Sequence, residues 1–146
     1  MVDAVRPAAG LELAHEAMET LRRAARSHGI RLLVAFGSQV TGRTHAASDV
    51  DLAVVLDNPK AGDPLRLIAD LQAAFPHQVD VLWLDRADPL VRWAALKQPR
   101  LLLGDARELA RAQVYAWRRF VEYRPFFELE AAAVRRAIAR LRDGHR

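Results

Sequence analysis

The sequence of 146 residues contains no cysteine, which excludes disulfide bonds and thiolate metal sites. It has no run of eighteen apolar residues free of charge, so we predict that no segment spans a membrane. Residues 1–7 lack the basic start and apolar run of a signal peptide, and we expect a cytoplasmic protein. With 51% hydrophobic and 27% charged residues, the composition is that of a globular chain with a single core.

Lysine is scarce as well. Of the 22 basic residues, all but Lys60 and Lys97 are arginines, and the formal net charge is +4. A profile rich in arginine and alanine but poor in lysine is typical of GC-rich codon usage, whatever the protein does. Charge alone therefore does not indicate a nucleic-acid surface, and we do not expect direct nucleic-acid binding.

The spacing of apolar residues predicts how helices and strands are ordered along the chain. It predicts helices over 11–26, 65–75, 90–96 and 105 to about 141, and strands over 30–36, 48–56, 79–84 and 101–103. We expect Asp105 to be the N-cap of the last helix and Pro125 to break or bend it. The order predicts an α/β (α+β) fold, a short mixed sheet flanked by helices. We place the core in 1–104 and a helical extension, packed on the same domain, in 105–146.

Three carboxylates occupy the predicted strands. Asp49 and Asp51 share one face of the 48–56 strand, since side chains two residues apart point the same way. Asp80 interrupts the otherwise apolar strand 79–84. If the two strands are neighbours, the three carboxylates can meet around Mg²⁺ or Mn²⁺, and two such ions would suit phosphoryl transfer. The alternatives are a simple polar strand end and an ion pair between Asp80 and an arginine.

Gly37 and Ser38 stand where the 30–36 strand ends. A glycine lets the backbone approach an anion closely, and the serine hydroxyl and the following amides can donate hydrogen bonds to phosphate oxygens. The complete pattern is Gly37-Ser38, three residues, Gly42, five residues, Ser48-Asp49-Val50-Asp51-Leu52, and Asp80 a further 29 residues on. This pattern resembles the signature of the DNA polymerase β-type nucleotidyltransferase superfamily, and the similarity extends over about residues 30–84.

The chain is too short for the added domains of polymerases, so it looks like a minimal nucleotidyltransferase, the MNT-type antitoxin of HEPN/MNT toxin–antitoxin systems. The resemblance implies ATP as donor, two Mg²⁺ ions, and transfer of AMP to a tyrosine of a HEPN-type RNase toxin held in a hetero-oligomer. It implies that Asp49 and Asp51 bind both ions and orient the triphosphate. Asp80 would bind the catalytic ion and help deprotonate or position the attacking hydroxyl. Gly37 and Ser38 would hold the β- and γ-phosphates.

Two other functions fit the same residues. Related enzymes transfer a nucleotide to a small molecule such as an aminoglycoside, although these generally have an added helical domain. An antitoxin could also neutralise its toxin by binding alone. The C-terminal half contains several aromatic residues, which either pack on the sheet or form part of a partner interface. It also contains a group of arginines, which either face solvent or contact an acidic toxin surface or RNA. These residues are Trp93, Trp117, Phe120, Phe126, Phe127, Arg135, Arg136, Arg140 and Arg142.

Overall fold

The computed structural model of the chain describes residues 13–37 and 49–144, which form helices and one set of strands. The helices are α1 (His15–His28), α2 (Pro64–Gln72), α3 (Pro89–Leu96) and α4 (Ala106–Asp143), with a 3₁₀ turn at Leu84–Arg86. The strands are β1 (Ile30–Phe36), β2 (Val50–Leu56), β3 (Val79–Trp83) and β4 (Arg100–Leu103). None of the helices within these ranges is long and apolar enough to cross a bilayer.

The described strands form one mixed sheet in the order β3-β2-β1-β4. β1 runs antiparallel to both β2 and β4, whereas β2 and β3 are parallel. The predicted fold class, a short mixed sheet flanked by helices, is therefore confirmed. This topology brings the C-terminal end of β1 to the same edge as the N-terminal ends of β2 and β3. We refer to this edge, which holds Asp49, Asp51 and Asp80, as the carboxylate edge.

The two faces of the sheet bury separate apolar clusters. Under α1 and α2 lie Val50, Leu52 and Val54, each at most 1% exposed. This confirms that the side of β2 opposite the aspartates is apolar. The other face, with Ala53 and Val55, packs beneath α3 and α4. Because side chains alternate along a strand, Asp51 shares the face of Ala53 and points to the side that carries α3 and α4.

The last helix is one continuous element. Asp105 accepts a hydrogen bond from the Arg107 amide at 2.8 Å, as predicted for its N-cap. Of the predicted break or bend at Pro125, the break is wrong, because α4 continues through it to Asp143. A proline removes one helical hydrogen bond, while Phe120 and Phe127 stack on either side of it at 6.3 Å between ring centroids. The contact between Phe120 and Phe127, which lie before and after Pro125, favours a continuous helix over a break.

Candidate active site

Asp51 and Asp80 are direct partners on the parallel strands β2 and β3. Neighbouring strands lie about 4.8 Å apart and paired residues project to the same face, so the two carboxylates stand side by side at the carboxylate edge. The predicted condition for a shared site, that these strands are neighbours, is thus met. Asp49 lies one residue before β2 and is exposed, as is Asp80, whereas Asp51 is half-buried.

Gln72, at the C-terminal end of α2, fastens the segment that leads to Asp80. Its side-chain amide donates to the carbonyl of His77 at 2.6 Å, and its oxygen accepts from the Val79 amide at 2.9 Å. The next residue, Gln78, accepts a hydrogen bond at 2.8 Å from the backbone amide of Val50. The start of β3 is therefore tied both to α2 and to the start of β2. Sequence reasoning missed Gln72, because a polar residue ending a helix carries no local sign of this role.

Gly37 places backbone directly against the Asp51 carboxylate. Its φ is +79°, in the left-handed region, and a Cβ there would overlap Asp51 Oδ2 and lie 3.3 Å from Cγ. A residue with a side chain could not occupy this position without moving the carboxylate. The proposed phosphate-binding partner, Ser38, lies outside the described residues, as do Gly42 and Ser48.

The carboxylate edge concentrates negative charge. Burial raises the pKa of Asp51, and the nearby charges of Asp80 and Asp49 raise it further. No arginine, lysine or histidine in 13–37 or 49–144 forms an ion pair with any of the three. The alternative of an arginine partner for Asp80 is therefore not found in this part of the chain.

These donors fit a hard divalent cation. Carboxylate oxygens are the ligands that Mg²⁺ prefers, and a cation would relieve the repulsion that raises the pKa of Asp51. Within the part of the chain that the structure describes, no three acidic or histidine side chains converge into a closed metal cluster. The paired Asp51 and Asp80, beside the backbone of Gly37, form an open site suited to cations that a substrate also ligates, such as those bound to a nucleoside triphosphate.

Comparison with known proteins agrees with this geometry. A family model described as polymerase beta, nucleotidyltransferase, matches residues 19–108, which includes all three aspartates and every strand. No curated protein matches the sequence.

Solved structures of similar fold come from toxin–antitoxin complexes. One, a toxin–antitoxin with AMP-PNP, is 20% identical, with a TM-score of 0.62 over 84% of this chain and 98% of its own. The MntA-HepT toxin–antitoxin is 18% identical, with a TM-score of 0.58 over 86% and 99%. A third structure, a tri-AMPylated Shewanella oneidensis HEPN toxin in complex with MNT antitoxin, is 18% identical. Its TM-score is 0.57, and the match covers 85% of this chain and 97% of its own. At these identities the likeness is one of fold.

Proposed function

This chain belongs to the polymerase beta nucleotidyltransferase family, and on that premise we propose that it transfers AMP from ATP to a tyrosine hydroxyl of a HEPN-type RNase toxin, and so acts as its antitoxin. The toxin would be its partner in a hetero-oligomer, and two Mg²⁺ ions its cofactors. ATP as donor fits the cytoplasmic location expected from the sequence. The 1–104 core would carry the chemistry, and the 105–146 extension would pack on it through the first half of α4.

The observation that carries this proposal is the pairing of Asp51 with Asp80 at the carboxylate edge, with Asp49 two residues before Asp51. Side-by-side carboxylates raise each other's energy unless a cation lies between them. A purely structural strand end would gain nothing from this repulsion. The proposal is supported further by the similar solved structures, which are toxin–antitoxin complexes, one of them containing a tri-AMPylated toxin.

The proposed reaction forms one bond and breaks another. The tyrosine oxygen of the acceptor attacks the α-phosphorus of ATP, the bond to the β-phosphate oxygen breaks, and pyrophosphate leaves. Asp80, the more exposed of the two paired carboxylates, would bind the catalytic ion, help position the hydroxyl and receive its proton. Asp49 and Asp51 would hold the ions that orient the triphosphate, while the backbone of Gly37 and Ser38 would hold its β- and γ-phosphates. The bound Mg²⁺ ions would supply stabilisation of the charge that develops on the phosphate oxygens.

Intact-mass spectrometry tests the proposal. The chain is co-expressed with its neighbouring HEPN-type gene product, purified, and incubated with ATP and Mg²⁺. We expect mass increments of one AMP on the partner, and none when Asp49 and Asp51 are both changed to Asn. Asp57→Asn serves as a matched control, because Asp57 follows the opposite end of β2 and its loss leaves the carboxylate edge intact.

Each other outcome selects a different function. If the double variant still adds AMP, the assignment of the metal-binding aspartates is wrong. If no AMP appears on the partner but the double variant still protects cells from it, the chain neutralises by binding alone. If neither occurs and an aminoglycoside gains AMP instead, the acceptor is a small molecule.

A further inference from the structure

The apolar stripe of α4 continues past the globular domain. In the first half of the helix, Leu109, Ala112 and Ala116 pack on the second face of the sheet, and Phe120 stacks on Trp93 at 6.1 Å between ring centroids. The same stripe continues through five residues that we call the distal seam. These are Phe127, Ala131, Val134, Ile138 and Leu141.

The end of the distal seam is mostly exposed in the described chain. Val134 is 57% exposed, Ile138 51% and Leu141 68%. A helix in water normally turns such an apolar stripe toward a packing partner, and here the partner of the first half, α3, begins at Pro89, beside Phe127. The distal seam is thus the uncovered continuation of an interface that already exists within the domain.

The spacing of the distal seam indicates the shape of what covers it. Its members are separated by 4, 3, 4 and 3 residues, the repeat by which one helix packs knobs into the holes of another. From Phe127 to Leu141 the seam is about 21 Å long at a rise of about 1.5 Å per residue. Where the seam leaves the domain, Phe127 and Ala131 line a cavity of about 300 Å³ with Leu90 of α3. This cavity can receive an apolar side chain from a second helix.

Charge indicates the chemistry of that helix. Residues 127–144 contain four arginines and three carboxylates. Glu128 and Glu130 lie where the seam leaves the domain, and in 131–144 the four arginines are accompanied by one carboxylate, Asp143. Two of the arginines, Arg135 and Arg142, directly follow seam residues, as Glu128 does at the start of the seam, and these are positions that select a coiled-coil partner. A second copy of this segment aligned in parallel would bring like charges together, which is unfavourable. A helix with carboxylates beside its apolar stripe is complementary.

We propose that the distal seam docks an amphipathic, acidic-flanked helix of the acceptor protein, and so holds the acceptor while the carboxylate edge modifies it. This inference rests on the proposed function for the identity of the acceptor. It assigns a role to the C-terminal half of α4, which the domain itself does not use.

Binding of the full chain to the purified HEPN-type partner tests the seam. We expect Ile138→Glu to raise the dissociation constant by about tenfold or more, as loss of a central apolar anchor does. Ala133→Glu is the matched control, because it adds the same charge to the outer face of the same helix and should change affinity less than about threefold. The double variant Arg135→Glu with Arg142→Glu reverses the flanking charges and should weaken binding more than Arg136→Glu does. This loss of affinity should be larger at low salt than at high salt.

The controls separate this proposal from the proposed function. Thermal stabilisation by ATP and Mg²⁺ should be the same in Ile138→Glu and wild type, which shows that the variant is folded and its active site intact. If Ile138→Glu binds the partner normally, the seam proposal is wrong, even when Asp49→Asn with Asp51→Asn abolishes transfer. If Ile138→Glu loses binding but no AMP is ever transferred, docking stands and the transferase function fails. A wild-type dimer in light scattering that Ile138→Glu dissociates would assign the seam to a second copy instead.

Discussion

Replacing Gly37 by alanine should damage the carboxylate edge, whereas the same change at Gly62 should not. Both glycines have left-handed backbone, with φ of +79° and +98°. At Gly37 the added methyl group would overlap the Asp51 carboxylate, while at Gly62 nothing lies within 4 Å. Gly62→Ala therefore measures the backbone cost alone, and the difference between the two variants isolates the contact with Asp51.

The magnitudes follow from these two terms. A left-handed backbone costs a residue with a Cβ about 1–2 kcal/mol, and we expect both variants to lose this stability. Gly37→Ala should lose about 1 kcal/mol more, because the Asp51 side chain must leave its rotamer. For a domain of this size about 1 kcal/mol corresponds to a fall of about 3–5 °C in Tm. Displacement of a catalytic group by about 1 Å lowers rates on the order of a hundredfold, so AMP transfer should fall by that factor in Gly37→Ala and by less than about twofold in Gly62→Ala.

Thermal unfolding and the rate of AMP addition to the partner measure the two effects separately. The combined variant Gly37→Ala with Asp51→Ala should recover the extra loss of stability, since the overlapping carboxylate is gone. The reasoning is refuted if Gly37→Ala transfers AMP at the wild-type rate, or if its stability loss equals that of Gly62→Ala. Strict additivity of the two changes in the combined variant would equally rule out the contact with Asp51.

Other predictions concern stability. In a chelator at pH 7, Asp51→Asn should raise the unfolding free energy by about 0.2–1 kcal/mol, the scale of like charges paired across strands. Because the pKa of Asp51 is raised on folding, its ionisation opposes folding, so the gain should appear as pH rises and vanish below about pH 4 in a pH series of thermal melts. Added Mg²⁺ should raise Tm in wild type but not in Asp51→Asn, and equal shifts would contradict the metal assignment. Gln72→Ala should lower stability in urea by about 1–3 kcal/mol and slow AMP transfer, whereas Asp70→Ala, which removes the 2.6 Å contact with His28, should affect stability alone.

Much of the fold was predictable because local patterns carry it. Alternating apolar residues indicated β2, and an interrupted apolar run indicated β3 and marked Asp80 as unusual. Each prediction rests on one property, the period at which side chains repeat on a face. Helix ends were predictable where a side chain caps its own backbone, as Asp105 does. Most of the family signature is also local, since all of it except Asp80 lies within residues 37–52.

Contacts between segments distant in the sequence were not predictable in this way. The parallel pairing of Asp51 with Asp80 depends on how α2 returns the chain to the sheet, and the clamp formed by Gln72 exists only once that return is made. The close approach of Gly37 to Asp51 likewise requires β1 and β2 to be in register.

The sequence of α4 contains a single apolar repeat over its whole length, and Pro125 within it predicted a break or bend, although the helix is not broken there. Which half of that repeat is buried depends on where α3 begins, at Pro89, a fact about position rather than composition. Local periodicity states which residues can be covered. Which of these residues are buried is decided by the positions of the other helices and strands, because a residue is buried only where another element packs against it.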